Sequence, residues 1–130
     1  MSSTEILIID DDKLIRWSLS TVLGRAGYHM REAAAGNEGL AAIESSIPDL
    51  VLLDIMLPDM NGFTVLERIR RAHPELPVVT MTADATPETS RRALDLGVRG
   101  HLEKPCDSAA LLTAVSKALQ FIIPPGQKSH

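Results

Sequence analysis

Three consecutive carboxylates, Asp10, Asp11 and Asp12, end a short apolar run, Ile6–Ile9. A lone carboxylate, Asp54, ends a second run, Leu50–Leu53. A hydroxyl, Thr82, closes the stretch Pro77–Thr82, and an ammonium, Lys104, directly follows Val98–Glu103. Brought together, these groups suit one kind of chemistry. Two unit charges ~5 Å apart at an effective dielectric of ~20 repel by roughly 3 kcal/mol, so clustered carboxylates must take up a proton or hold a cation. An all-oxygen donor set favours Mg2+, ahead of Ca2+ or Mn2+. With a metal, a hydroxyl and an ammonium around it, a carboxylate can accept a phosphoryl group. Asp54 is then the nucleophile, the metal and Lys104 neutralise charge on the phosphoryl oxygens, and Thr82 donates to one of them.

Each of these residues is ordinary when taken singly. An acidic run at a helix start is stabilised by the helix dipole. Asp54 alone reads as the start of a turn, Thr82 as a strand residue and Lys104 as a solvated charge. The chemical reading therefore depends on the elements that bring them together. Short apolar runs bounded by turn residues read as strands buried on both faces of a parallel sheet. Ile6–Ile9, Leu50–Leu53, Pro77–Thr82 and Val98–Glu103 fit that pattern, with His29–Ala33 as a weaker fifth strand. Between them lie helical patterns. Lys13–Ala26 carries Leu14, Ile15, Trp17, Leu19, Val22 and Leu23 and is stopped by Gly27. Glu38–Ser46, Phe63–Ala72, Pro87–Leu96 and Ser108–Leu119 follow. Five strands alternating with five helices through short links predict an α/β fold. It is a three-layer, doubly wound, five-stranded parallel sheet in the flavodoxin-like order 2-1-3-4-5. In that order the first, third, fourth and fifth strands are contiguous, and their reactive residues surface around the switch point. The second strand delivers only Ala33, Ala34 and Ala35, and it lies at the edge.

At 130 residues the chain reads as one domain, residues 1–122, with a polar, Pro- and Gly-bearing tail or linker start at 123–130. Only four residues are aromatic, so Leu, Ile, Val, Ala and Met must fill the core. A net charge of −4 argues against direct nucleic-acid binding by this chain. The single cysteine, Cys106, excludes an internal disulfide and suits a reducing compartment. No signal peptide or membrane span is visible, and the expected location is cytoplasmic.

Four motifs in order carry a family resemblance. They are the acidic pair after the first strand, the D-x-x-x-P-x-x-x-G of Asp54, Pro58 and Gly62, Thr82-Ala83, and Lys104-Pro105. From about Glu5 to Gln120 the chain resembles the receiver domains of two-component response regulators. The resemblance implies a phosphoacceptor switch rather than an enzyme, with only weak self-phosphorylation and autodephosphorylation. Asp54 would accept phosphate from a sensor histidine kinase. Asp11 would bind Mg2+ directly, Asp10 through water, and the backbone carbonyl of Met56 would complete the protein ligands. Because the three aspartates are consecutive, a slip of one residue puts Asp12 beside the metal instead; Ile9, as the last apolar strand residue, favours Asp10 and Asp11. The Lys104–Pro105 bond would be cis.

Phosphorylation would draw in Thr82 and turn His101 into the vacated space. The face of helix four, strand five and helix five would then change toward an output domain, C-terminal or separate. The same face, marked by Arg91, Arg92 and Arg99, could pair two copies as a homodimer. Ile15-Arg16-Trp17 and Thr80-Met81-Thr82-Ala83 look most like enhancer-binding transcriptional activators, which implies transcription regulation as the output. Three positions depart from the family pattern. His101 stands where Tyr or Phe is usual and adds a titratable ring. Met56 and Asp84 flank the route of attacking water, and an apolar Met56 implies a persistent aspartyl phosphate. A haloacid-dehalogenase-like phosphohydrolase is the competing enzyme reading: Asp10 and Asp12 approach its motif, but Leu14 breaks it and Asp54 would go unused. A flavodoxin-like FMN carrier is excluded by three aspartates where a phosphate would lie. A receiver acting only as a scaffold sits poorly with intact Asp11, Asp54, Thr82 and Lys104.

Overall fold

The computed structural model describes residues 4–120. The expected tail and its boundary at 122 lie outside them. Five strands alternate with five helices: β1 (Glu5–Ile9), α1 (Lys13–Arg25), β2 (His29–Ala33), α2 (Gly36–Ser45), β3 (Leu50–Asp54), α3 (Gly62–Ala72), β4 (Val78–Thr82), α4 (Pro87–Asp95), β5 (Gly100–Glu103) and α5 (Ser108–Gln120). All strand pairs are parallel, and the order is β2-β1-β3-β4-β5, as the alternation of patterns predicts.

The central strands are apolar on both faces because both faces are covered. Leu7, Ile9, Val51 and Leu53 pack with Ile43 of α2, Val65, Leu66 and Ile69 of α3, and Ala93 of α4. Ile6, Ile8, Leu50 and Leu52 point the other way, onto Leu19 and Leu23 of α1 and Leu111 and Val115 of α5. Helices on both sides of one sheet make three layers.

On α1 only Leu19 and Leu23 are fully turned to the sheet, and Leu14 is 71% and Trp17 64% exposed. Two local readings are corrected. Helix α2 begins at Gly36, before Glu38. The carboxylate of Asp59, far along the chain, accepts from the N–H groups of Gly36 and Asn37 at 2.7 and 2.8 Å and supplies the missing cap. Strand β5 begins at Gly100 rather than Val98, since the N–H of Val98 still closes the end of α4 on the carbonyl of Ala93. Gly97, at φ 76°, makes that reversal in a conformation that side chains resist.

Candidate functional site

Strand order and register decide which side chains meet. Ile9 pairs with Leu53, so the residues that follow, Asp10 and Asp54, emerge side by side. Gly62 lets the next turn fold tightly back over this end, and its N–H donates to the carbonyl of Ile55 at 2.7 Å. A Cβ on Gly62 would strike the backbone of Ile55 and lie 2.6 Å from the carbonyl oxygen of Asp54. That close approach is the physical reason for glycine in the D-x-x-x-P-x-x-x-G motif.

Asp10 is fully buried; one carboxylate oxygen accepts from the N–H of Asp12 at 2.9 Å. Asp54 is also buried, and its Oδ1 accepts from the N–H of Met56 at 3.0 Å. The ammonium of Lys104 joins the two, 2.7 Å from Asp10 Oδ2 and 2.9 Å from Asp54 Oδ2. Its own N–H is fixed to the carbonyl of Thr82 at 2.8 Å, and the Lys104–Pro105 peptide is cis. Asp11 is exposed at the rim. Asp10, Asp11 and Asp54 each offer an oxygen within 4.8 Å of the others. Asp12 does a different job: its carboxylate caps α1 by accepting from the N–H groups of Leu14 and Ile15.

Burial, reinforced by the nearby charge of Asp10, raises the pKa of Asp54 despite the opposing bonds from Lys104 and Met56. For Lys104 burial opposes the charge, but the bonds to Asp10 and Asp54 outweigh it and hold the ammonium above its usual range. One ammonium cannot balance three carboxylates. The surplus negative charge, the oxygen-only donors and the opening onto a cavity of about 580 Å3 fit a hard divalent cation such as Mg2+.

The remaining expected residues fall around this centre. Met56 is 63% exposed and lines the cavity with Cys106, whose thiol is pushed up by burial. Thr82 is buried at the end of β4, one residue past Met81, the register partner of Asp54. Its hydroxyl oxygen accepts from the N–H of Asp84 at 3.1 Å. His101 is not at the acidic centre. It lies on β5 opposite Thr80, with Nδ1 2.7 Å from the Thr80 hydroxyl, while Nε2 is buried with no hydrogen-bond partner among the described residues. Burial lowers its pKa. Arg92 lies over the Phe63 ring, 4.4 Å from its centroid, and Arg99 donates to the carbonyl of Ala118 at 3.1 Å.

Two supporting residues escape a reading of the sequence. Arg16 donates to the carbonyl of Asp10 at 2.7 Å and pairs with Glu32, so it steadies the acidic turn from α1. Thr80 anchors His101. Both stand in stretches that carry the family resemblance, but nothing in the sequence pairs Thr80 with His101 or Arg16 with the carbonyl of Asp10.

A family model described as the response regulator receiver domain matches residues 6–116. The DNA-binding transcriptional regulator NtrC of Salmonella typhimurium is 38% identical over 114 residues, covering 88% of this chain and 24% of that protein. NtrC of Rhizobium meliloti is 38% identical over 119 residues, 92% of this chain and 25% of its own length. The chain thus spans about a quarter of these curated relatives. Among solved structures, the receiver domain of NtrX from Brucella abortus matches with a TM-score of 0.85 at 34% identity, over 90% of this chain and 99% of that one. A CheY-like receiver domain protein from Methanospirillum hungatei matches with a TM-score of 0.86 at 36% identity, over 91% and 94%. Sequence and shape agree along nearly the whole described length, and the chain belongs to the response regulator receiver domain family.

Proposed function

We propose that this domain is a phosphorylation switch in which Asp54 takes a phosphoryl group from a phosphohistidine of a sensor kinase. The observation that carries the reading is the Lys104 ammonium held between Asp10 and Asp54 beside an open cavity. An oxygen of Asp54 forms the new bond to phosphorus while the phosphorus–nitrogen bond breaks, and the electron pair leaves with the imidazole. Lys104 already sits where charge on the phosphoryl oxygens will lie, so little reorganisation is needed. Asp10, Asp11 and Asp54, with the main-chain carbonyl of Met56, would hold Mg2+. When bound, the ion neutralises phosphoryl charge and orients the transferring group.

An aspartyl phosphate adds about −1.5 to −2 of charge at this point. The Thr82 hydroxyl stands one residue from the register partner of Asp54 and turns to donate to the new oxygens. His101, whose ring meets the Thr80 hydroxyl at 2.7 Å, follows into the space released. The changed α4–β5–α5 face then meets an output element or a second copy of the chain. The printed names of the NtrC relatives, DNA-binding transcriptional regulators, support transcription as the regulated process.

The test is incubation with acetyl phosphate and Mg2+ followed by intact-mass measurement. The wild-type chain gains one phosphoryl group and Asp54→Ala gains none. An undiminished gain in Asp54→Ala would move the nucleophile elsewhere, with Asp10 the hydrolase-like candidate.

A further inference from the structure

Asp10 is fully buried, and both its side chain and its main chain are held. The carboxylate meets the N–H of Asp12 and the ammonium of Lys104. The Asp10 N–H donates to the carbonyl of Ala33 on β2 at 3.1 Å. Its carbonyl accepts from Nη1 of Arg16 at 2.7 Å. The same guanidinium donates from Nε to Glu32 Oε1 at 3.0 Å, and the Ser20 hydroxyl holds the other Glu32 oxygen, also at 3.0 Å. Only 14% of the Arg16 side chain is exposed, so the guanidinium reaches from α1 to β2 largely out of solvent. The edge strand, which ends in nothing but alanines, thus acts on the acidic turn twice. It does so directly through Ala33, and through Glu32 by way of Arg16.

Asp10 and Asp11 share one planar peptide unit, and its carbonyl is the one that Arg16 grips. Fixing that plane fixes the direction in which the chain leaves Asp10. It thereby sets where the exposed carboxylate of Asp11 stands relative to the buried pair. Oxygens of Asp10, Asp11 and Asp54 lie within 4.8 Å of one another, an arrangement that three like charges resist. We propose that Arg16 is a positioning residue of the cation site: its fork, oriented by Glu32, holds the Asp10–Asp11 peptide so that the carboxylates converge on Mg2+. The inference rests on the reading of Asp10, Asp11 and Asp54 as the Mg2+ site. A guanidinium has only donors, so Arg16 cannot itself ligate the ion. Paired with Glu32 it carries no net charge, and it orders the turn without repelling a cation.

Charge and position predict opposite signs. If Arg16 acts only as a charge near the cluster, its removal leaves Glu32 unbalanced and tightens Mg2+ binding. If it positions the turn, its removal frees the peptide and weakens binding roughly tenfold, the low end of what groups that orient metal ligands contribute. Isothermal titration of Mg2+ into the folded chain reads the difference between wild type and Arg16→Met. The Mg2+ concentration that half-saturates Asp54 labelling by acetyl phosphate should rise by the same factor. Arg16→Lys keeps the charge but has one head for two partners, so it also weakens Mg2+ binding. That variant keeps the test decisive should Arg16→Met not fold. Affinity in Arg16→Met equal to or tighter than wild type overturns the proposal, and so does wild-type affinity in Arg16→Lys. A lower urea midpoint with unaltered Mg2+ affinity shows a structural role only and overturns it too. A wild-type chain that takes up no Mg2+ overturns instead the cation site on which the proposal rests.

Discussion

At the scale of single residues, burial and pairing explain why ordinary side chains acquire special roles here. Asp10 and Asp54 are buried carboxylates at the wall of an open cavity, and the Lys104 ammonium makes their proximity tolerable. His101 is the less settled group. The Thr80 hydroxyl lies 2.7 Å from Nδ1 of the ring, while Nε2 is buried with no hydrogen-bond partner among the described residues. A protonated ring must carry an N–H at Nε2 with no partner there, and burial holds the ring's pKa down. Above the usual histidine pKa of about 6.5 the ring is neutral in both folded and unfolded chains. Below it the unfolded chain binds the proton first, so folding stability falls as the pH drops toward the lower folded value. Urea unfolding at a pH of about 7.5 and about 5.5 should show a larger loss for the wild type than for His101→Phe. Equal losses would mean that the ring is solvated. The sequence shows that the residue usual at this position is replaced by a titratable one; its partner, Thr80, is invisible until the two strands are paired.

At the scale of elements, most strands and helices were legible because their periodicities are clean, and the exceptions share a cause. The start of α2 is set by Asp59, which is distant in sequence, and the apolar residues Leu14 and Trp17 cannot announce which way α1 is rotated. Three consecutive aspartates likewise do not reveal that Asp12 is the helix cap. Helix α4 shows how lightly one element can be held: Ala93 is its sole buried residue, and a capping box of Thr86 and Thr89 secures its start. Its far end is gripped by Arg70 of α3, which donates to the carbonyls of Leu96 and Gly97 and also to that of Leu76. Arg70→Met should cost about 2–4 kcal/mol in urea unfolding, because three carbonyls lose a charged donor at once. Hydrogen exchange should quicken in α4 and the α4–β5 turn well before the β-sheet. A uniform change across the molecule would show that Arg70 does not single out α4.

At the scale of the whole molecule, the doubly wound order 2-1-3-4-5 converts four separated motifs into one pocket. The order itself was legible, since alternating patterns and right-handed crossovers leave few alternatives. The sequence alone could not show how far the pocket extends, because its apolar end is assembled from α1, β4 and the turn after β5. Surplus acidity at this pocket makes the fold responsive to cations. Thermal melting should shift upward on adding Mg2+ and return on adding a chelator, while Asp11→Asn should melt higher without metal and gain much less from Mg2+. An unchanged Mg2+ response in that variant would remove Asp11 from the cation site.

The central claim is that Asp54, and neither Asp10 nor Asp11, is the carboxylate that becomes phosphorylated, to an acyl phosphate. Borohydride reduction of the domain after reaction with acetyl phosphate and Mg2+, followed by peptide mapping, reads this directly. The account predicts one reduced residue, Asp54. Reduction at Asp10 or Asp11, or none despite full folding and bound Mg2+, would contradict it.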